Sequence, residues 1–201
     1  MINFVFIQQI MNMSCKIRKA QESDAHSVPE IMLQAMEDII FQFIQNEDRT
    51  EAILFLTQFF GQKGNLYSYE NTFVAIDAHE NIVGSLTGYD ADEFVKLREP
   101  ILAYIKERYG NPMVPEVETV GNEFYIDSIA VAAIARGKGV GTELLQFAIA
   151  QAQQQDFKQV GLLVDLENPG AQKLYERIGF KLGKKTALVG GVYNHMYIQL
   201  P

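Results

Sequence analysis

The chain is short of cysteine, histidine and unbroken apolar sequence, and each shortage closes a class of function. One cysteine in 201 residues, Cys15, cannot form an internal disulfide. Cys15, His26, His79 and His195 show no metal-ligand spacing, so no metal site is expected, a structural zinc included. No segment approaches the length of a membrane span. With a formal net charge of -8 the chain also lacks the basic face by which a general nucleic-acid binder meets phosphates. The first dozen residues hold an apolar Phe4-Val5-Phe6-Ile7 but no charged side chain and no small-residue cleavage site, which argues against a secretory signal. These absences describe a cytoplasmic chain with neither membrane nor nucleic acid as a partner.

What is present is ordinary for a globular protein, with 48% hydrophobic and 21% charged residues. A single domain of this size buries roughly 70% of its unfolded surface. Met13 offers a second start, so residues 1–13 read as an N-terminal extension and residues 14–201 as one domain.

Beyond residues 15–20, Glu22-Ser23-Asp24 offers a helix start, and Ile31, Leu33, Met36, Ile39, Ile40 and Phe43 recur at three- and four-residue spacing. Asp48 caps a second helix whose apolar stripe ends at Gly61. Strands at 72–76 and 82–87 flank a polar turn in which His79 reads as a solvated loop residue. A further helix is inserted at about 91–110, with Pro100 as an expected kink. Residues 122–131 form the central strand, and strict alternation puts Phe124, Ile126, Ser128 and Ala130 on one face and Glu123, Tyr125, Asp127, Ile129 and Val131 on the other. A helix with core stripe Leu144, Leu145, Ala148, Ile149 and Ala152 follows, then a strand at 159–164. A helix from Asn168-Pro169 to Gly179 and closing strands at 181–182 and 193–199 complete the pattern.

Between the central strand and its helix lies Arg136-Gly137-Lys138-Gly139-Val140-Gly141-Thr142. Glycines let backbone N–H groups approach a ligand, the helix N-terminus supplies unpaired donors, and Arg136 and Lys138 add positive charge. This is an anion site suited to a diphosphate, and a glycine-rich turn that only caps a helix is the competing reading. A P-loop needs Gly-Lys-Ser/Thr after four spacer residues, whereas Lys138 precedes Gly139. The dinucleotide fingerprint needs a third glycine where Thr142 stands.

With Leu162 to Val164, Asn168, Ala171, Tyr175 and Gly179-Phe180 following in order, the loop resembles the GNAT superfamily of N-acetyltransferases. The family signature of Arg or Gln, two residues, Gly, one residue, Gly or Ala is matched by Arg136, Gly139 and Gly141. The resemblance implies an α/β fold with a mixed, mostly antiparallel sheet flanked by helices, its fourth and fifth strands parallel and splayed around coenzyme A. It implies acetyl-CoA as co-substrate, its pantetheine along Ile129, Ala130 and Val131 and near Asn168 and Ala171, its diphosphate on Arg136, Gly137, Lys138, Gly139, Val140, Gly141 and Thr142. Asn168 has a second use as a helix cap. Tyr175 is implied beside the cofactor sulfur. Donating a proton from a Tyr of pKa about 10 to a thiolate of about 8.5 is uphill by roughly 2 kcal/mol, which favours a hydrogen bond first and proton delivery late or through a shifted pKa.

Only roughly one alkyl ammonium in two thousand is neutral at pH 7, which makes a base valuable. Asp127 is the first candidate and Glu123, one pleat pair earlier, the second. Glu116, Glu118, Glu123 and Asp127 gather where they would attract a cation, unless the connector is simply solvated. Ser128 and His195 do not form a nucleophile elbow, so a Ser-His hydrolase is disfavoured. The expected function is acetyl transfer to a primary amine, on a small cationic molecule or on a peptide. A homodimer through the late strands is implied by the family. The alternative from another class is a CoA-binding module without turnover.

Overall fold

A computed structural model describes residues 15–119, 121–188 and 190–201. The extension expected at residues 1–13 lies outside the described residues. The seven-stranded sheet has the order β1-β2-β3-β4-β5-β7-β6. Its strands are β1 (Lys16–Lys19), β2 (Thr72–Ile76), β3 (Ile82–Asp90), β4 (Phe124–Val131), β5 (Gln159–Asp165), β6 (Lys181–Leu188) and β7 (Gly191–Gln199). Only β4 and β5 run parallel, because α4 (Val140–Gln154) carries the chain back between them, and the other neighbours are antiparallel. This is the mixed sheet that the resemblance implies.

Two cores share the sheet. On one face α1 (Val28–Ile44), α2 (Arg49–Phe60) and α3 (Phe94–Tyr109) bury an aromatic cluster in which Phe55 meets Phe59 at 4.9 Å and Phe59 meets Tyr104 edge-on at 5.3 Å. On the other face α4 packs Leu144, Leu145, Ala148 and Ala152 against Leu86, Phe124 and Ile126, while Ile149 lies at the margin. Each fully buried leucine contributes about 1.5–3 kcal/mol.

Local signals explain most boundaries. Asp48 accepts from the Thr50 and Glu51 amides and starts α2. The start signal at residues 22–24 instead forms one 3-10 turn, in which buried Asp24 pairs with Arg18 at 2.7 Å, and α1 begins at Val28 with Pro29 in its first turn. The expected kink at Pro100 is absent, and α3 runs through it. Pro100 and Lys96, whose carbonyl loses its helical partner, are both exposed, so that carbonyl is open to solvent and needs no bend to be satisfied. The break falls instead in α1, at Met36, where φ is -141° and ψ is 24°. Strands β6 and β7 are longer than the sequence pattern indicates, because β6 is an exposed edge strand without an apolar alternation.

The alternation expected along β4 also fails. Thr87 pairs with Ser128 but Gly88 pairs with Ile126, so Asp127 is an extra residue, a β-bulge. Beyond it the faces exchange. Ile129 and Val131, not Ser128 and Ala130, join Phe124 and Ile126 on the α4 side.

Candidate active site

The bulge also ends the pairing of β4 with β5. Their parallel ladder covers Phe124 to Ile126 against Val160 to Leu162, after which β5 continues only with β7. The two strands part, and a cleft of about 680 Å³ opens between them, roofed by α1 at its Met36 break and walled by α5 (Pro169–Ile178). Asp127, Ser128 and Ile129 reach it from β4, and Asn168, Ala171 and Tyr175 from the far side.

Gly137 and Gly139 have φ of 73° and 91°, left-handed conformations that favour glycine. A Cβ on either would meet nothing within 4 Å, so the loop's outer surface is open to a ligand. Gly139 is the N-cap of α4 and no side chain caps the helix, which leaves the first-turn amides as donors toward an anion. Gly141 differs, since a Cβ there would make ordinary contacts with Val131 and Leu174. Arg136 bonds back to the Val131 carbonyl at 3.1 Å and to Gln34 of α1 at 2.7 Å, tying the loop to the cleft roof. Glycines, amides and cations together fit a diphosphate. Asn168 accepts from the Ala171 amide at 3.0 Å, so its oxygen caps α5 and its amide N–H groups are what it offers a ligand. The unpaired run of β4 from Ile129 to Val131 toward β5 fits an amide-bearing arm such as pantetheine.

Tyr175 is buried in this cleft, with its ring 5.9 Å from Phe180. Burial pushes its hydroxyl up to about 12, so it acts as a hydrogen-bond donor across the neutral range. Asp127 accepts 2.9 Å from the Tyr89 hydroxyl, and burial raises its carboxyl above the ordinary range against that bond's lowering. Glu118 accepts 2.9 Å from the Tyr125 hydroxyl and is raised by burial and by the charge of Asp127. Tyr67, Tyr89 and Tyr125 are themselves held well above the usual phenol range, chiefly by burial, so all three remain protonated.

Of the four gathered acids, the structure brings together only Glu118 and Asp127. Glu116 is exposed. Glu123 precedes β4 and is fully buried below the cleft, where its carboxylate meets His195 at 3.1 Å and Gln159 at 3.0 Å. A Cβ at Gly161 would collide with that carboxylate. The expectation that Glu123 and Asp127 share a usable face therefore does not hold: Glu123 fills a gap over a glycine and does not line the cleft. His195 is occupied by Glu123 and likewise does not line it, while Ser128 does. The sequence reading missed Tyr89 and Tyr125, which look like core aromatics. It missed Arg98 of the inserted helix, which donates to the Pro115 carbonyl at 2.8 Å and lies 5.0 Å over the Phe94 ring.

The sequence pattern of the acetyltransferase (GNAT) family matches residues 33–180, and the chain belongs to this family of acyltransferases. It is 28% identical over 120 residues to an acetyltransferase of Agrobacterium fabrum (strain C58 / ATCC 33970), covering 51% of this chain and 86% of that protein. It is 36% identical over 76 residues, 36% of its length, to the chloroplastic GCN5-related N-acetyltransferase 6 of Arabidopsis thaliana, and spans only 26% of that protein. A crystal structure of an acetyltransferase superposes with a TM-score of 0.78 at 29% identity, covering 92% of this chain and 100% of that one. An N-acetyltransferase from Staphylococcus aureus Mu50 gives 0.79 at 20% identity over 91% of this chain and 100% of that one, which shows a common fold. The resemblance first read from the loop and the Tyr175 helix is borne out in family and fold. Among the described residues no helix is long and apolar enough to cross a membrane.

Proposed function

We propose that the protein transfers an acetyl group from acetyl-CoA to a primary amine by direct attack, in the cytoplasm, and that the acceptor is a small cationic amine. One observation carries the reading: a carboxylate at the β4 bulge, Asp127, and a buried phenol, Tyr175, line one cleft, whose Gln34 is bonded by Arg136 of the glycine loop. The acceptor's charge is supported by the lining, where Glu37, Asp38, Glu118, Asp127, Asp165 and Glu167 outnumber the single cation Arg98.

Acetyl-CoA supplies a thioester. Residues 136–142 hold its diphosphate, Ile129, Ala130 and Val131 its pantetheine amides, and Asn168 and Ala171 flank that arm. Asp127 supplies the carboxylate beside which the ammonium is deprotonated. A backbone N–H of β4 steadies the oxyanion, a contribution of about 3 kcal/mol. Tyr175 donates a hydrogen bond to the sulfur as negative charge develops. Proton donation from a hydroxyl at about 12 to a thiolate of about 8.5 is uphill by roughly 5 kcal/mol, so the sulfur's final proton comes from the amine nitrogen. A homodimer, if formed, uses the exposed edge of β6, where Leu182 stands outward.

The test is thiol release from acetyl-CoA with alkyl monoamines, alkyl diamines and a lysine-bearing peptide. Release with the small amines above that with the peptide is expected. Tight CoA binding without release for any amine would instead establish a CoA-binding module, and light scattering reads the oligomeric state.

A further inference from the structure

The connector between α3 and β4 is irregular, yet it is fastened to the helices on either side of it. Asn111 donates to the Gln42 and Phe43 carbonyls at the end of α1, at 2.8 and 3.0 Å, and Arg98 holds the Pro115 carbonyl. Three residues beyond Pro115 the connector delivers Glu118 into the cleft, where the Tyr125 hydroxyl fixes it. Asp127 is fixed in the same way by Tyr89, and the two tyrosine rings lie 5.9 Å apart on paired positions of β3 and β4. Two carboxyls from unrelated parts of the chain are thus presented side by side by neighbouring phenols.

Building on the acetyl-transfer reading, we propose that Glu118 is the second catalytic carboxyl, on which the ammonium's proton comes to rest while Asp127 holds the amine in place. The N–H bond of the ammonium breaks and an O–H bond forms on Glu118, with the electron pair left on nitrogen. That pair forms the C–N bond to the thioester carbon as the C–S bond breaks toward sulfur. The nitrogen's second proton goes to sulfur. One ammonium, one thioester and one carboxylate become an amide, a thiol and a carboxylic acid, so charge and atoms balance. Arg98 is a positioning residue, acting through the connector it pins.

The surroundings suit this division. Facing the pair are Tyr67 ahead of β2, Tyr89 of β3, Tyr125 of β4, Arg98 of α3 and Tyr193 of β7, with Asp38 of α1 and Asp165 of β5 beyond Tyr193. The phenols stay protonated, and Arg98 offsets part of the burial of Glu118. Both carboxyls are raised by burial, and Glu118 also meets the charge of Asp127. A carboxyl raised in this way is a closer match to an amine's basicity than an ordinary one.

The experiment measures kcat/KM against pH for n-butylamine and 1,4-diaminobutane with the wild-type protein, Glu118→Gln, Glu118→Asp and Asp127→Asn. The acetyl-CoA Kd of each is measured in parallel. In wild type, activity climbs through two carboxyl ionisations. Glu118→Gln is expected to remove the upper step and lower kcat/KM at pH 8.5 by roughly 10- to 100-fold, with donor Kd within twofold. Glu118→Asp is expected to recover part of the rate and the upper step. Asp127→Asn is expected to move the remaining step to lower pH, since Glu118 then ionises without a neighbouring charge. A Glu118→Gln profile that matches wild type while Asp127→Asn is impaired overturns the role of Glu118. No thiol release from wild type with any amine overturns acetyl transfer itself, and this role with it.

Discussion

Tyr89 and Asp127 meet at a fault in the sheet: the phenol donates a 2.9 Å hydrogen bond to the carboxylate of the one bulged residue between β3 and β4. Removing the hydroxyl with Tyr89→Phe removes a bond that favours the ionised form. The Asp127 carboxyl then rises further, and the acidic limb of kcat/KM moves to higher pH by about one unit. A pH profile at saturating acetyl-CoA reads the shift, and a limb that stays in place shows that Asp127 is not the titrating group.

A raised carboxyl also leaves a mark on stability. The folded state binds the Asp127 proton more tightly than the unfolded state does, so its contribution favours folding at low pH. That contribution is lost as pH rises from the ordinary carboxylate range through the raised value. Asp127→Asn carries no charge to bury and keeps an acceptor for Tyr89. It should be more stable than wild type by about 1–3 kcal/mol at pH 8, and the gain should shrink toward pH 4. Urea unfolding at the two pH values measures this, and the variant's activity should fall as its stability rises.

Tyr175→Phe isolates the phenol's bond to the leaving sulfur. A hydrogen bond to a charged group is worth about 1.5–3 kcal/mol, so kcat should fall roughly 10- to 150-fold with little change in the amine KM. Single-turnover thiol release is the measurement, and unchanged turnover would leave Tyr175 as a packing residue.

The loop glycines should separate by backbone conformation. Gly139→Ala places a side chain at φ 91° and should cost about 1–2 kcal/mol of stability and weaken acetyl-CoA binding. Gly141→Ala adds a methyl at ordinary contact distance from Val131 and Leu174 and should leave both nearly unchanged. Calorimetric titration with CoA distinguishes the two. Equal losses would mean that space at the loop, not the left-handed backbone, sets the requirement.

The loop was legible because its chemistry is local: glycine spacing, a following helix and two cations are all visible within residues 136–142. Tyr175 was legible for the same reason, at a fixed distance from Asn168. The bulge was not, since an extra residue in one strand is defined by its partner's register, and Asp127 and Glu123 look alike under strict alternation. Glu116 and Glu118 stand two residues apart on a connector without periodicity. Only the anchors at Arg98 and Asn111, which come from tertiary packing, turn one into the cleft and leave the other exposed. Pro100 misled because a kink depends on which side of the helix meets water.

Among the described residues the two cores lie on opposite faces of the sheet, with the Arg136–Gln34 bond reaching from one side to the other. The one under α4 supports the glycine loop, and the one under α1 to α3 supports the tyrosines and the connector. If the proposed roles hold, exchanging residues of α3 and its connector should alter acceptor preference while acetyl-CoA affinity stays the same. On that reading, divergence on one face of the sheet leaves the other face's task untouched.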